Sequence, residues 1–330
     1  MKFLIAGLGS IGRRHLRNLR ALGQEDILLY RTHQATLPDA ELGDLPTFKE
    51  LGLALAEKPD GVIVANPTAL HLEVALAAAR AGAALLIEKP VSDSLAGLGE
   101  LQSALTLSGK PAMVGFHFRF HPVLSQIKTL LESGQLGKPL SARAHWGEYL
   151  PAWHPWEDYR RSYAARADLG GGVVNTLSHP LDYLRWLLGE VEGVSAWTGK
   201  LSELELDVED HADILLRFAA GEVASVHLDY FQRPPSHTLE ITCEDGRICW
   251  DNATGEAQIF HAQSGAVSLL MPPEGFERNQ MFLDEMATFI RLCQGETLPH
   301  CSLADGIRAQ ELVLAVKQSA SQGGCMVRLA

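Results

Sequence analysis

Two short stretches carry the side chains best suited to moving a proton. In "LLIEKPVS", Glu88, Lys89 and Pro90 end an apolar run. In "GGGVVNTLSHPLDY", Gly170 to Tyr183, three glycines lead to His179, with Asn175 one helical turn before it and Asp182 three residues after. Histidine has an ordinary pKa suited to proton exchange near neutrality. A lysine ammonium stabilises an alkoxide in a dry cleft. Oxidising a carbinol needs a base for the hydroxyl proton, and the reverse reaction needs an acid. Each stretch also has a plainer reading: Glu88 and Lys89 as a surface ion pair, and His179 as a core histidine of an amphipathic helix.

A third stretch, "GLGSIG", fits G-x-G-x-x-G at Gly7, Gly9 and Gly12, with Ser10 and Ile11 between the last two. It follows the strand-like "FLIAG" and opens the helix-like "GRRHLRNLRALG", the context this motif requires. Gly7 permits the tight turn, Gly9 admits a pyrophosphate to the backbone, and Gly12 lets helix and strand approach. The helix N-terminus then faces the anion. An NAD site usually has a carboxylate at the end of the second strand. Here "ILLY" is followed by Arg31, Thr32 and His33, with Glu25 and Asp26 at the wrong end. An arginine there pairs with a 2′-phosphate or stands as a solvated loop residue; the first reading favours NADP over NAD.

These residues need elements to hold them. In the first 120 residues, "FLIAG", "ILLY", "GVIVAN", "ALLIE" and "AMVGF" alternate with helix-patterned segments. That alternation implies βαβ units and a doubly wound parallel sheet, whose strand ends line the ligand crevice. After that the pattern changes. "HADILLRF" and "EVASVHLDYF" are separated by "AAG", and "HTLEITC" and "RICW" by "EDG", which reads as antiparallel hairpins. Helix patterns near Met281–Leu292 and Ala304–Gln318 follow. The fold class is α/β: a dinucleotide-binding domain over 1–120, and an α+β substrate domain with a mostly antiparallel sheet over 121–330.

The chain has 330 residues, 46% hydrophobic and 21% charged, with a formal net charge of −12. That acidity disfavours nucleic acid and anionic membranes as partners. Cys243, Cys249, Cys293, Cys301 and Cys325 form no C-x-x-C pair. They read as reduced thiols of a cytoplasmic protein, with no disulfide framework and no metal site. The apolar start is too short for a signal peptide, and no run approaches a membrane span.

"NPTALHLEVALAAARAGAALLIEKP" resembles the N/T-P-x-x-x-H and E-K-P segment of the Gfo/Idh/MocA oxidoreductase family. "GLGSIGRRH", "VGFHFRFHP", "LLESGQLGKP", "GGGVVNTLSHPLDYLRWLLG" and "VEDHADILLRFAAGEVASV" resemble further family segments. The resemblance covers nearly the whole chain. It implies a Rossmann domain, then an open-faced sheet domain that often oligomerises, here as a homodimer or homotetramer. It implies hydride transfer between a nicotinamide and a carbinol of a sugar, cyclitol or nucleotide-sugar. By motif, Lys89 matches the lysine that binds the reacting oxygen, and Glu88 its cofactor-side neighbour. His179 matches the usual acid/base, and Asn66, Pro67 and His71 match the segment beside the nicotinamide half. The family also includes NAD-dependent glycoside hydrolases, and a dinucleotide-binding sensor is the non-enzyme alternative.

One position departs from the family pattern. The aspartate expected four residues before the histidine is Asn175, or Thr176 if the count runs from the glycines. Asp182 could supply the carboxylate from i+3, or serve as a capping or interface residue. Before this helix, Trp146, Tyr149, Trp153, Trp156, Tyr159 and Tyr163 are interleaved with Arg160, Arg161 and Arg166. Aromatic faces suit a pyranose and arginines suit a carboxylate or phosphate. Tyr149, Trp153, Tyr163, Asn175 and Arg119 are therefore expected on the substrate side, or as lid, contact or domain-junction residues.

Overall fold

The computed structural model describes residues 1–32 and 39–329; His33 falls outside the described residues. The chain divides into two compact units, 1–117 with 277–310, and 118–276 with 311–330. The segment 277–310, which the sequence reading left with the second domain, groups with unit 1. Among the described residues no helix is long and apolar enough to cross a membrane.

Unit 1 is built on strands β1 (Phe3–Ala6), β2 (Ile27–Tyr30), β3 (Thr47–Phe48), β4 (Gly61–Val64), β5 (Ala84–Glu88) and β6 (Ala112–Gly115). Helices α1 (Ser10–Ala21), α2 (Leu51–Ala56), α3 (His71–Arg80) and α4 (Leu98–Ser108) connect them. All strand pairs are parallel, in the order β3-β2-β1-β4-β5-β6. Every residue of β1, β4, β5 and β6 is buried. Such continuous apolar strands need cover on both faces, which the crossover helices provide. The strand order reverses between β1 and β4, the place where doubly wound sheets open a crevice at their carboxyl ends.

Unit 2 begins with α5 (Pro122–Glu132) and β7 (Pro139–Gly147), then α6 (Val173–Thr176) and α7 (His179–Leu188). Strands β8 (Val191–Gly199), β9 (His211–Phe218), β10 (Val223–Asp229), β11 (Ser236–Cys243), β12 (Gly246–Asp251), β13 (Ala257–His261) and β14 (Val267–Leu270) follow. Helix α8 (Arg278–Cys293) belongs to unit 1, α9 (Leu303–Ser321) runs from one unit into the other, and β15 (Val327–Arg328) closes the chain. The second sheet runs β14-β13-β12-β11-β7-β10-β9-β8-β15. It is antiparallel except where β7 meets β10. Along β9, Ala212, Ile214, Leu216 and Phe218 are buried while Asp213, Leu215 and Arg217 are exposed. This alternation marks a sheet with one covered face.

Unit 1 claims α8 through packing on its first strand. Phe289 of α8 lies 6.1 Å, centroid to centroid, from Phe3 of β1. Gly61 of β4 gives both rings room, since a Cβ there would come within 3.0 Å of each. The helix fills a groove of the first sheet although it is more than 200 residues away in sequence.

Candidate active site

The glycine turn is constrained as its motif requires. Gly7 has φ +97°, and a Cβ on it would lie 2.4 Å from the backbone N of Asn66. A Cβ on Gly12 would lie 2.0 Å from the Gly7 carbonyl. A Cβ on Gly9 would meet nothing within 4 Å, so the space in front of the helix is open. The first intrahelical bond runs from Arg13 N to Gly9 O at 3.1 Å. The N–H groups of Ser10, Ile11 and Gly12 therefore precede it and point to a ligand or to water. With no acidic residue in the first turn of α1, this cradle fits the pyrophosphate of a dinucleotide.

At the end of β5, Glu88 is buried and its Oε1 lies 2.7 Å from His15 Nε2. That contact ties the helix opened by the glycine turn to the strand carrying Lys89. Glu285 of α8 approaches from a third element: one ligand atom each of His15, Glu88 and Glu285 lies within 4.8 Å of the others. Glu285 is fully buried and neither carboxyl oxygen has a hydrogen-bond partner. Burial, then the charge of Glu88, pushes its pKa well above the usual carboxylate range. Beside this cluster Lys89 is half-buried, and its pKa is lowered to about 8. Loss of water is the largest cause, Glu88 pulls the value back up, and Arg278 pushes it down. A lysine near 8 exchanges protons close to neutrality, as one near 10.5 does not.

His71 does not present a free ring. Its Nδ1 lies 2.9 Å from Pro90 O and its Nε2 2.8 Å from Asn66 O. Burial lowers its pKa. It braces the loop after β4 against the E-K-P turn, while Asn66 donates to Leu70 O at 3.0 Å. Pro67 precedes the turn that leads into α3. Arg31 follows β2 with a buried side chain, its N–H donating to Phe48 O at 3.0 Å, and Thr32 beside it is exposed.

In unit 2, His179 stands at the start of α7, behind Ser178 and ahead of Pro180. It is buried among rings. Phe118 meets it edge-on at 4.9 Å and Trp146 lies 5.7 Å away. His237 of β11 stacks on Trp146 at 4.2 Å and also meets Phe118 edge-on at 4.9 Å. Asp182, a candidate carboxylate for His179, is held by Arg119. Arg119 Nε and Nη2 donate to its two oxygens at 3.0 and 2.7 Å. The two side chains are 3% and 1% exposed. Arg119, expected on the substrate side, thus clamps α7 to the turn that carries it.

Asn175 also has partners within its own unit. It is buried, and its amide donates to Gly170 O at 2.9 Å and Gly171 O at 3.1 Å, shaping the triple-glycine turn. Arg160 is engaged by Asp158 and Glu205, and Arg166 by Asp168, so these arginines meet protein carboxylates. Tyr149 carries the Arg233 guanidinium 4.1 Å above its ring. Trp153 meets Tyr230 edge-on at 5.5 Å. Tyr149, Trp153 and Tyr163 are all half-buried. His15, Glu285 and His237 were missed. Two left a signal: His15 sits beside Leu16 on the buried stripe of α1, and Glu285 lies between Met281 and Phe289 on that of α8.

Residues 1–116 match the profile of the oxidoreductase family with an NAD-binding Rossmann fold, and residues 124–249 that of the GFO/IDH/MocA C-terminal domain. The chain is 31% identical to the uncharacterised oxidoreductase YrbE of Bacillus subtilis, over 97% of this chain and 94% of that one. It is 29% identical to the myo-inositol 2-dehydrogenase of Thermotoga maritima, over 97% and 96%. Its fold matches that of a levoglucosan dehydrogenase solved with NADH and levoglucosan, with a TM-score of 0.88, 21% identity and 99% of each chain covered.

Proposed function

The chain belongs to the Gfo/Idh/MocA oxidoreductase family, and on that premise we propose that it is an NAD(P)-dependent dehydrogenase of a sugar, cyclitol or nucleotide-sugar. The observation that carries the reading is Lys89, held at about 8 beside a glutamate that His15 ties to the nucleotide-cradling helix. Gly7, Gly9 and Gly12, with the N–H groups of Ser10 and Ile11, would hold the pyrophosphate; Asn66, Pro67 and Glu88 would flank the rest of the dinucleotide. A nicotinamide held there would supply the acceptor for the carbinol hydride, or its donor in the reverse direction. Lys89 in its neutral form takes the hydroxyl proton during oxidation, and as ammonium gives it back during reduction. His179 hydrogen-bonds the substrate and orients the carbinol for that exchange.

Strand β2 ends without a carboxylate, and Arg31 follows it. This supports NADP as the preferred dinucleotide. The exposed Trp197, Leu215 and Val223 on the second sheet support assembly as a homodimer or homotetramer.

The test is a panel of polyols, sugars and nucleotide-sugars with NADP+ and NAD+. Net formation of reduced nicotinamide is expected, and should be lost in Lys89→Ala while dinucleotide binding persists. Cleavage of a glycoside without net cofactor reduction would replace this reading with hydrolysis. Tight dinucleotide binding with no turnover on any candidate would make the protein a sensor. Equal affinity for NADPH and NADH, unmoved by Arg31→Ala, would sink the NADP preference.

A further inference from the structure

The outward face of the second sheet carries a square of two histidines and two aspartates. Strands β9 and β10 are antiparallel neighbours, and their register sets Asp213 opposite His227 and His211 opposite Asp229. Period-two alternation sends all four side chains to one face. His211 Nε2 lies 3.0 Å from Asp213 Oδ2, and His227 Nδ1 lies 2.8 Å from Asp213 Oδ1. The other nitrogen of His227 lies 3.2 Å from Asp229 Oδ2. On β7, His145 is in register with His227 and stacks on it at 4.8 Å and 6°.

A neutral imidazole has one N–H and one lone pair. His227 faces a carboxylate at both nitrogens, so a neutral ring sets its lone pair against an anionic oxygen unless a cation lies between. Asp229 is placed to take the N–H. Its carboxylate is 2% exposed, and its Oδ1 accepts from the backbone amides of Phe231 at 2.9 Å and Gln232 at 2.7 Å. The lone pair at Nδ1 is then left to Asp213, whose carboxylate is 57% exposed in the single chain. His211 completes two imidazoles and one carboxylate, with one ligand atom of each within 4.8 Å of the others. This donor set suits a borderline divalent cation such as Zn2+, at bond lengths of about 2.0–2.2 Å. A carboxylate holding the far N–H of a ligand histidine is the usual support of such sites.

We propose that His211, Asp213 and His227 form a site on the outward sheet face for Zn2+ or a chemically similar divalent cation, with Asp229 orienting His227 and the remaining coordination positions left to water or to a donor from a second copy packed on that face. The site stands apart from the dehydrogenase reading. The proton is the metal's competitor. The titratable groups facing His227 are Asp213 and His211 on β9, Asp229 on its own strand and His145 on β7. Affinity should therefore fall as pH drops below neutral, and metal binding should release protons.

The test is calorimetric titration of tag-free protein with ZnCl2 at mildly alkaline pH. The expected result is saturable binding at one site per chain, weakened at least about 10-fold in both Asp213→Asn and His227→Ala. Asp213 is surface-exposed, so its variant should fold normally, which thermal unfolding checks. Visible absorption of the Co2+-loaded protein, lost in the same variants, gives an independent readout of nitrogen–oxygen coordination. Absence of saturable binding, or binding unchanged in both variants, would overturn the proposal.

Discussion

Lys89 and His179 are held by opposite means. Lys89 is surrounded by charge: Glu88 raises its proton affinity, Arg278 lowers it, and loss of water brings it to about 8. His179 is surrounded by rings, Phe118 and Trp146, and the nearby carboxylate of Asp182 is bound by Arg119. Loss of water and the charges beside it therefore tune the lysine of unit 1, whereas packing holds the histidine of unit 2. The difference assigns acid–base tuning to the E-K-P strand end. It assigns the rigid presentation of an imidazole to α7.

The comparison breaks most visibly at Lys89. Lys89→Ala should lower kcat by about 10³–10⁴-fold, with dinucleotide affinity, read by fluorescence titration, changed less than about threefold. Retained turnover would move the proton chemistry to unit 2. Next in size is the clamp. Arg119→Ala removes the guanidinium that holds the buried Asp182 carboxylate and should cost about 3–5 kcal/mol in a denaturant melt. The double variant Arg119→Met with Asp182→Leu should recover most of it. If Arg119 bound substrate instead, the single variant would keep its stability and raise KM.

His179→Ala comes third, with kcat reduced about 10²-fold and the pH dependence of the remaining activity unchanged. Such a result would sharpen the division between a tuned lysine and a positioned histidine. The smallest effect concerns Glu285, whose carboxyl ionises near 4.5 in the unfolded chain and well above that when folded. Unfolding above 4.5 therefore releases a proton, and wild-type stability falls as pH rises toward the folded pKa. Glu285→Gln carries no such penalty and should be more stable by about 1–3 kcal/mol at pH 7. The gain should shrink as pH is lowered through 4.5. A variant less stable at neutral pH would show that the carboxyl is ionised and paired.

The glycine turn, the E-K-P strand end and the two hairpins were legible because each depends on neighbours in sequence. Gly7 and Gly12 are needed by their own turn, and "AAG" and "EDG" lie between strands that pair with each other. The partners of the site residues were not legible. Arg119 and Asp182 are 63 residues apart, and His15 and Glu88 are 73 apart. Only the packed fold decides which of several carboxylates each cation meets. Asn175 or Thr176 is expected at the place of the family aspartate, and the bonds of Asn175 to Gly170 and Gly171 could be read only from the turn itself. Helix α8 was legible as a helix, but its attachment to unit 1 rests on ring packing against β1. The histidine–aspartate square escaped motif reading because its ligands come from two strands in register, not from one spaced run.

The central claim is that burial of Lys89 beside Glu88 and Arg278 tunes the proton exchange of the reaction. Its most direct test is the pH dependence of kcat/KM for polyol oxidation in wild type, Glu88→Gln and Arg278→Met. Wild-type activity should rise through an apparent pKa of about 8. The limb should move to lower pH in Glu88→Gln, which removes the charge that raises the lysine, and to higher pH in Arg278→Met. A limb that stays put in both variants and disappears in His179→Ala would contradict the account.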